Sequence, residues 1–465
     1  MLSILKVPHK INANSLAFFR NKFELTKFNS LQIYQFLRFG SFFAISIILA
    51  KITYYRYTAG FGTLIISRYE LLLLLSASLT FFWVSSITNT LIPFYNASDE
   101  DKKKRILFNA FVLLTGLSIL AGAITVVIGF VKYPKNADLF QMFALVIFLN
   151  TPAYMADYIL YLKGKYRSLI IWGAITFSAQ IILLCLPIYF NYTLNLAINL
   201  WVILSLLKFN YTIILLMKYS TISFHTRLIS EFLKKVIPFM FSILLAGSMD
   251  YINSYIVEIY YSDLEFAVFR YAAKELPIFL ILTNSLNNIY SGEIANLNRE
   301  GNLEEALAKL KASSRILMRW LFPATMIFIF LSKYFFQLAY NQELSQGYRI
   351  FNIYLLLIIS RMVYPQTVIM GLMKNRIFYL VSTNYLIINC ILMFWFMNLW
   401  GIEGIAYAFV ISYSIEKLLL VIYCKMEGID IRKYTAVGEY LIYSALTLIV
   451  FFLSQRIDMP PIQGL

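Results

Sequence analysis

Apolar residues in this chain run in long stretches, and most charged residues gather in the short segments between them. Crossing about 30 Å of hydrocarbon takes about 20 helical residues at 1.5 Å each. Thirteen stretches meet that length, near residues 33–54, 70–94, 107–131, 140–162, 168–190, 194–217, 236–260, 266–290, 316–338, 348–370, 377–399, 403–423 and 435–454. The pattern predicts an all-α polytopic membrane protein, because helices satisfy their backbone polar groups internally where no water is available. Several stretches carry charges at depths where lipid contact is costly, and such charges mark a polar route through the fold.

The basic residues orient the bundle. About 25 fall in the N-terminal segment and alternate loops, including DKKKR at 101–105, KGKYR at 163–167 and KNR at 374–376, against about eight on the other side. The asymmetry predicts a cytoplasmic N-terminus and, with thirteen spans, an external C-terminal tail. Residues 1–30 hold no apolar core ending in small residues, so the first span itself is read as the insertion signal. Phe18, Phe19, Phe23 and Phe28 lie among basic residues there, as either a short surface helix or a basic tail.

Composition narrows the chemistry. Of the 465 residues 60% are hydrophobic and 14% charged, far from the balance of a soluble domain. The net charge of +16 sits in short loops and forms no aromatic-interleaved surface, which argues against nucleic acid. Cys185, Cys390 and Cys424 are isolated in apolar spans, and His9 and His225 are the only histidines, so no disulfide framework, metal site, cofactor or histidine triad is expected. No GxxxxGK[ST] segment occurs, so ATP is not the expected direct energy source. A membrane glycosyltransferase or polysaccharide polymerase would carry a sizeable external catalytic loop, and none is present; the acidic run at 98–101 reads as a solvated loop.

An internal repeat divides the chain. FLR at 36–38 with SIILA at 46–50 matches FLK at 232–234 with SILLA at 242–246; Phe61 and Glu70 match Phe266 and Glu275; Lys165 and Arg167 match Lys374 and Arg376. The offsets run from 196 to 209 residues, in one order. Parallel repeats of this kind commonly hold substrate between them near the midplane. The expected fold is therefore two pseudo-symmetric six-helix lobes around a central cavity, plus one or two additional C-terminal helices. The expected divisions are a basic cytoplasmic segment at 1–30, a first lobe at 31–218, a linker at 219–235, a second lobe at 236–424, and an extra helix and tail at 425–465.

Four segments carry a more specific likeness: WGIEGIAYAFVIS at 400–412, FAVFRYAAKELP at 266–277, PQTVIMGLMKNR at 365–376 and residues 41–62. Over residues 33–425 the chain resembles the Wzx-like lipid-linked oligosaccharide flippases of the multidrug/oligosaccharidyl-lipid/polysaccharide (MOP) superfamily. The resemblance implies a transporter, not an enzyme, in the bacterial inner membrane. It would flip undecaprenyl-diphosphate-linked oligosaccharide outward by alternating access, among membrane lipids and with a polysaccharide polymerase and assembly proteins as partners. A multidrug exporter of the same fold is the alternative, and it would call for an acidic cavity. Members of this family usually have twelve or fourteen spans, so a count of thirteen departs from the pattern at the C-terminal end.

The charged residues inside the spans are the site candidates. Arg270 and Lys274 fall one helical turn apart on span eight, and two stacked cations at that depth need carboxylates or a bound anion. Asp250 and Glu275 are the nearest carboxylates in sequence, as counter-charges or coupling groups. Glu70, the repeat partner of Glu275, can titrate in the cavity or pair across it with a span-eight cation. Arg361 on span ten must find its partner on another helix or in the substrate, where its planar donor fork suits phosphate. Arg38 either snorkels to the interface or captures diphosphate. Lys208 on span six has no assignable partner.

Overall fold

A computed structural model describes residues 27–58, 60–340, 342–374 and 376–456 of the chain. Phe18, Phe19 and Phe23 of the basic N-terminal segment and the end of the C-terminal tail lie outside the described residues, while Phe28 falls in the first helix. The first half contains α1 (Lys27–Arg56), α2 (Phe61–Asn96), α3 (Glu100–Lys132), α4 (Ala137–Ala153), α5 (Met155–Leu162), α6 (Tyr166–Tyr189) and α7 (Leu194–Tyr219). The second contains α8 (Thr226–Tyr260), α9 (Asp263–Ala272), α10 (Pro277–Arg299), α11 (Leu303–Ala339), α12 (Tyr348–Leu355), α13 (Leu357–Arg361), α14 (Pro365–Gly371), α15 (Arg376–Met426), α16 (Ile431–Tyr434) and α17 (Val437–Arg456).

Local chemistry sets the helix starts. Asp99 caps α3 by accepting from the Lys102 N–H at 2.7 Å, and Glu100 and Asp101 occupy the first turn, where negative charge meets the positive end of the helix dipole. Ser262 and Glu265 form a reciprocal capping box at the start of α9.

Among the described residues nine helices are long and apolar enough to cross a membrane, or ten if one bent pair counts as a span. The thirteen anticipated stretches nevertheless each correspond to helix. α15 accounts for two of them: Trp400 and Gly401 leave the helical conformation, Gly401 with φ 58°. The Tyr385 ring lies 6.4 Å from those of Phe409 and Tyr413, residues that a straight helix would hold about 36–42 Å away. α15 is thus a helical hairpin, and a Cβ on Gly404 would collide with the Phe396 carbonyl across its tight corner. α8 and the α9–α10 pair cover two more of the stretches, but their polar residues keep them out of the nine or ten. Span ten bends by 45° between Arg361 and Pro365, where proline removes a backbone donor and disfavours helix in the residue before it.

The helices group into two lobes with the additional helix α17 at the edge. Within the first lobe α1 packs on α6, α3 on α4, and α4 on α7; within the second, α10 packs on α14 and α11. The α4–α5 segment is the interior of its lobe, 67% of its apolar window being buried. α17 has only 17% buried and attaches through Phe322 stacked on Tyr443 at 5.5 Å.

The lobes meet chiefly along a seam, α2 against α8 and α9, with α3 also touching α8 and Phe43 of α1 stacked on Phe335 of α11 at 6.4 Å. Phe94 lies 5.3 Å from Phe232 at one end, Phe81 lies 4.6 Å from Tyr251 in the middle, and Ser78 and Tyr255 share a hydrogen bond of 2.8 Å. No comparable packing joins α1 to α10 among the described residues.

Candidate functional site

The eighth span is broken where its charges sit. α9 ends at Ala272, and residues 273–276 are not helical. Pro277 then opens α10 at its first position, with Leu276 extended before it. Arg270 therefore occupies the last turn of α9, while Lys274 and Glu275 lie on the unwound segment. This corrects the expectation of two cations on one face of a continuous helix; proline imposes the break.

Both cations nevertheless converge on one carboxylate, Glu70 of the opposite lobe. Arg270 Nε donates to Glu70 Oε2 at 3.1 Å, and Lys274 Nζ lies 3.8 Å from Oε1. Arg270 also donates to the Ser254 hydroxyl at 3.3 Å, and Lys274 Nζ sits 5.1 Å from the Tyr271 ring centroid. Glu70 is 1% exposed, so the contact is an inter-lobe ion pair buried on its acidic side. Asp250 and Glu275 are not the partners of these cations. Glu275 instead accepts two hydrogen bonds from Arg361, whose guanidinium lies 5.1 Å from the Tyr413 ring centroid. Asp250 is exposed, with Glu275, Arg361 and Arg270 as its charged neighbours and no ion pair within 4 Å among the described residues.

Further hydrogen bonds tie the lobes at the end of the bundle where α1 turns into α2. Thr63 donates to Glu343 at 2.5 Å, Ser67 donates to Asp263, and Lys132 and Tyr133 both donate to Glu258, the lysine at 2.5 Å.

A cavity of about 540 Å³ lies beside the seam. Its walls come mostly from α1, α2, α4, α5, α6 and α7, and the second lobe contributes Tyr251 and Arg270. Arg38 and Arg270 line it, whereas Lys274, Arg361, Asp250, Glu275 and Glu70 do not. Arg38 does not snorkel: it donates to the Tyr154 hydroxyl at 3.2 Å, and its guanidinium carbon is 4.7 Å from that ring centroid.

One lining pair was not anticipated: Lys208, left without a partner in the sequence, and Asn150. Lys208 is 7% exposed and donates to Asn150 Oδ1 at 2.6 Å, with Asp157 and Arg38 as charged neighbours. Asn150 lies 58 residues from Lys208 and is uncharged, so neither periodicity nor charge pairing pointed to it. The cavity thus gathers Arg38, Lys208 and Arg270 against one carboxylate, Asp157.

No family model and no curated protein matches the chain. Solved structures do resemble it. The lipid II flippase MurJ in an inward closed conformation superposes with a TM-score of 0.65 at 15% identity, covering 92% of this chain and 93% of that one. A MATE protein in the bent conformation gives a TM-score of 0.52 at 14% identity, with 90% and 95% covered. A MOP superfamily transporter from Pyrococcus furiosus, described by a reversed polarity of its binding pocket that suggests a different function, gives 0.51 at 11% identity, with 86% and 93% covered. The fold is that of the MOP-superfamily transporters.

Proposed function

We propose that the chain is a flippase for undecaprenyl-diphosphate-linked oligosaccharide, moving it from the cytoplasmic to the external leaflet of a bacterial inner membrane. The observation that carries this reading is the polarity of the cavity: three cationic side chains line it against a single carboxylate. A cationic drug would be repelled from such a surface, whereas an anionic diphosphate gains charge-assisted hydrogen bonds. Arg38 and Arg270 offer donors to the diphosphate from the two lobes, with Lys274 beside them. Arg361 is the anchor that holds Glu275 on the unwound segment. The unpacked side between α1 and α10 lets the lipid tail stay in the bilayer while the headgroup occupies the cavity.

With the N-terminus in the cytoplasm, the end tied by Thr63, Ser67, Lys132 and Tyr133 is external, and the cytoplasmic end carries its own inter-lobe ion pair, Lys102 with Glu231 at 2.9 Å. Alternating access then requires the Glu70 pair and its neighbours to release. Outward movement of an anion against a negative interior gains about 2.3 kcal/mol per charge per 100 mV. Asp250, Glu275 and Glu70 are the groups through which proton or sodium coupling would act. Within the same fold a multidrug exporter is the rival; an acidic cavity would favour it.

Depletion of the protein tests the reading. Cells should accumulate the completed lipid-linked unit on the cytoplasmic side and lose surface polysaccharide. An absent or shortened lipid-linked unit would point instead to an enzyme of glycan assembly, and intact surface polysaccharide to a different cargo.

A further inference from the structure

The repeat that relates the two halves extends to a pair of buried lysines. Lys208 on α7 and Lys417 on α15 stand at the same offset as Lys165 and Lys374, and so do Asp157 and Gln366. Both lysines are buried, at 7% and 6% exposure, and each donates to a side-chain amide of its own lobe: Lys208 to Asn150, Lys417 to Gln366. Beyond that their surroundings part. Lys417 lies 4.9 Å from the Tyr413 ring centroid, has Glu416 as a charged neighbour, and is not in the cavity wall. Lys208 lines the cavity, and among the described residues it has no carboxylate within 4 Å and no hydrogen-bond acceptor besides Asn150. An ammonium carries three donors, so two are left for a ligand.

The same wall holds other unsatisfied donors. Gln180 and Trp201, each 4% exposed, line the cavity with their side chains, while the Gln180 amide nitrogen and the Trp201 indole nitrogen, closed off from the cavity space, have no hydrogen-bond partner among the described residues. Trp201 and Lys208 are two turns apart on one face of α7, about 10 Å along the axis, a length that suits one or two sugar rings. Aromatic rings flank this stretch: Phe143 lies 5.6 Å from Trp201, and Tyr34 lies 5.4 Å from Phe177. Rings beside directed donors are the surface that carbohydrate presents a need for, with apolar faces and hydroxyl acceptors on one molecule.

We infer that the first-lobe wall of the cavity is a saccharide subsite selective for an acidic sugar, with Lys208 binding its carboxylate and the side chains around Trp201 and Gln180 forming the wall against the ring. Asn150 is a positioning residue that holds the ammonium toward the cavity. The inference rests on the lipid-linked oligosaccharide reading and names the class of its glycan. A phosphate group of the lipid carrier offers the same oxyanion chemistry, and the probes separate the two sources.

The test is ligand binding to the purified full-length protein in detergent, followed by saturation-transfer NMR for glucuronate and glucose and by phosphorus NMR for inorganic pyrophosphate. Glucuronate should bind at least about tenfold more tightly than glucose, the value of one charge-assisted hydrogen bond. Lys208→Met should remove that preference. Asn150→Asp should remove it too while keeping the lysine, because the new carboxylate occupies the ammonium. Lys417→Met should retain the preference, as the matched buried lysine outside the cavity. Equal binding of glucuronate and glucose, or a preference unchanged by Lys208→Met and Asn150→Asp, would overturn the subsite. Pyrophosphate binding that depends on Lys208, without any glucuronate preference, would assign the site to phosphate and overturn the saccharide. No transport enters these measurements, so a protein that prefers glucuronate but leaves the lipid-linked unit unmoved would sink the flippase reading alone.

Discussion

Replacing Glu70 with glutamine removes the negative charge on which two cations from the other lobe converge. The carboxylate is 1% exposed, while Arg270 is 19% and Lys274 41% exposed. Breaking a buried ion pair by deleting one partner costs about 3–5 kcal/mol, because the remaining charge is stranded. Arg270 keeps access to the cavity and Lys274, outside its wall, is the more exposed of the two, so both stranded charges are partly screened; a loss of about 2–3 kcal/mol is therefore expected. Arg270→Gln should cost a similar amount by stranding Glu70, with Lys274 too distant to hydrogen-bond it. The double substitution should recover most of one loss, a coupling of about 1.5–2 kcal/mol, since partners in direct contact do not add. Unfolding of the purified protein in mixed micelles measures all three variants. Simple additivity of the two single losses would refute the pairing. The same variants separate structure from transport: a folded double variant that still moves substrate would exclude Arg270 as an essential diphosphate donor.

Reporters fused after Lys104, Lys165, Arg299 and Arg376 should lie in the cytoplasm, and those near Lys135, Asp263 and Glu403 outside; the reverse pattern would invert the proposed direction of transport. In a Cys390→Ser background, Ser67→Cys paired with Asp263→Cys should form a disulfide that halts transport, with activity regained on reduction; undiminished transport in the oxidised protein would show that this end of the seam need not part. Outside the membrane-spanning helices, the hydrogen bond from Lys374 holds the Glu427 carboxyl below its usual range. Its stabilising effect is present above the ordinary carboxyl value, about 4.3, and is lost as pH falls through the lowered one. The small difference in thermal midpoint between the native protein and Glu427→Gln should accordingly be present at pH 7 and vanish in stronger acid.

The helices were legible because lipid forces apolar runs of fixed length; the breaks in spans eight and ten fall at Pro277 and Pro365. The hairpin corner at Trp400 and Gly401 was legible as a division between two spans. Pairings were not. Glu70 meets Arg270 across 200 residues, and sequence proximity favoured Asp250 and Glu275, which share a lobe with Arg270. Arg361 reaches Glu275 across 86 residues, as the need for a partner on another helix required. Lys208 looked solitary because its acceptor is a neutral amide. The repeat held the clue: Lys417, at the matching offset, marks a position where each half places a buried ammonium against an amide.

The asymmetry between the two sides of the lobe interface, closed along α2 and α8 and unpacked between α1 and α10, decides what concentration means for this protein. A molecule entering by the unpacked side comes from the hydrocarbon phase, where its abundance is a mole fraction of lipid. An amphiphile dilute in water but enriched in the membrane would saturate the cavity, while a polar competitor at the same bulk concentration would not. Apparent potencies should therefore shift when lipid or detergent is added at constant total ligand, falling as the ligand is diluted within the bilayer.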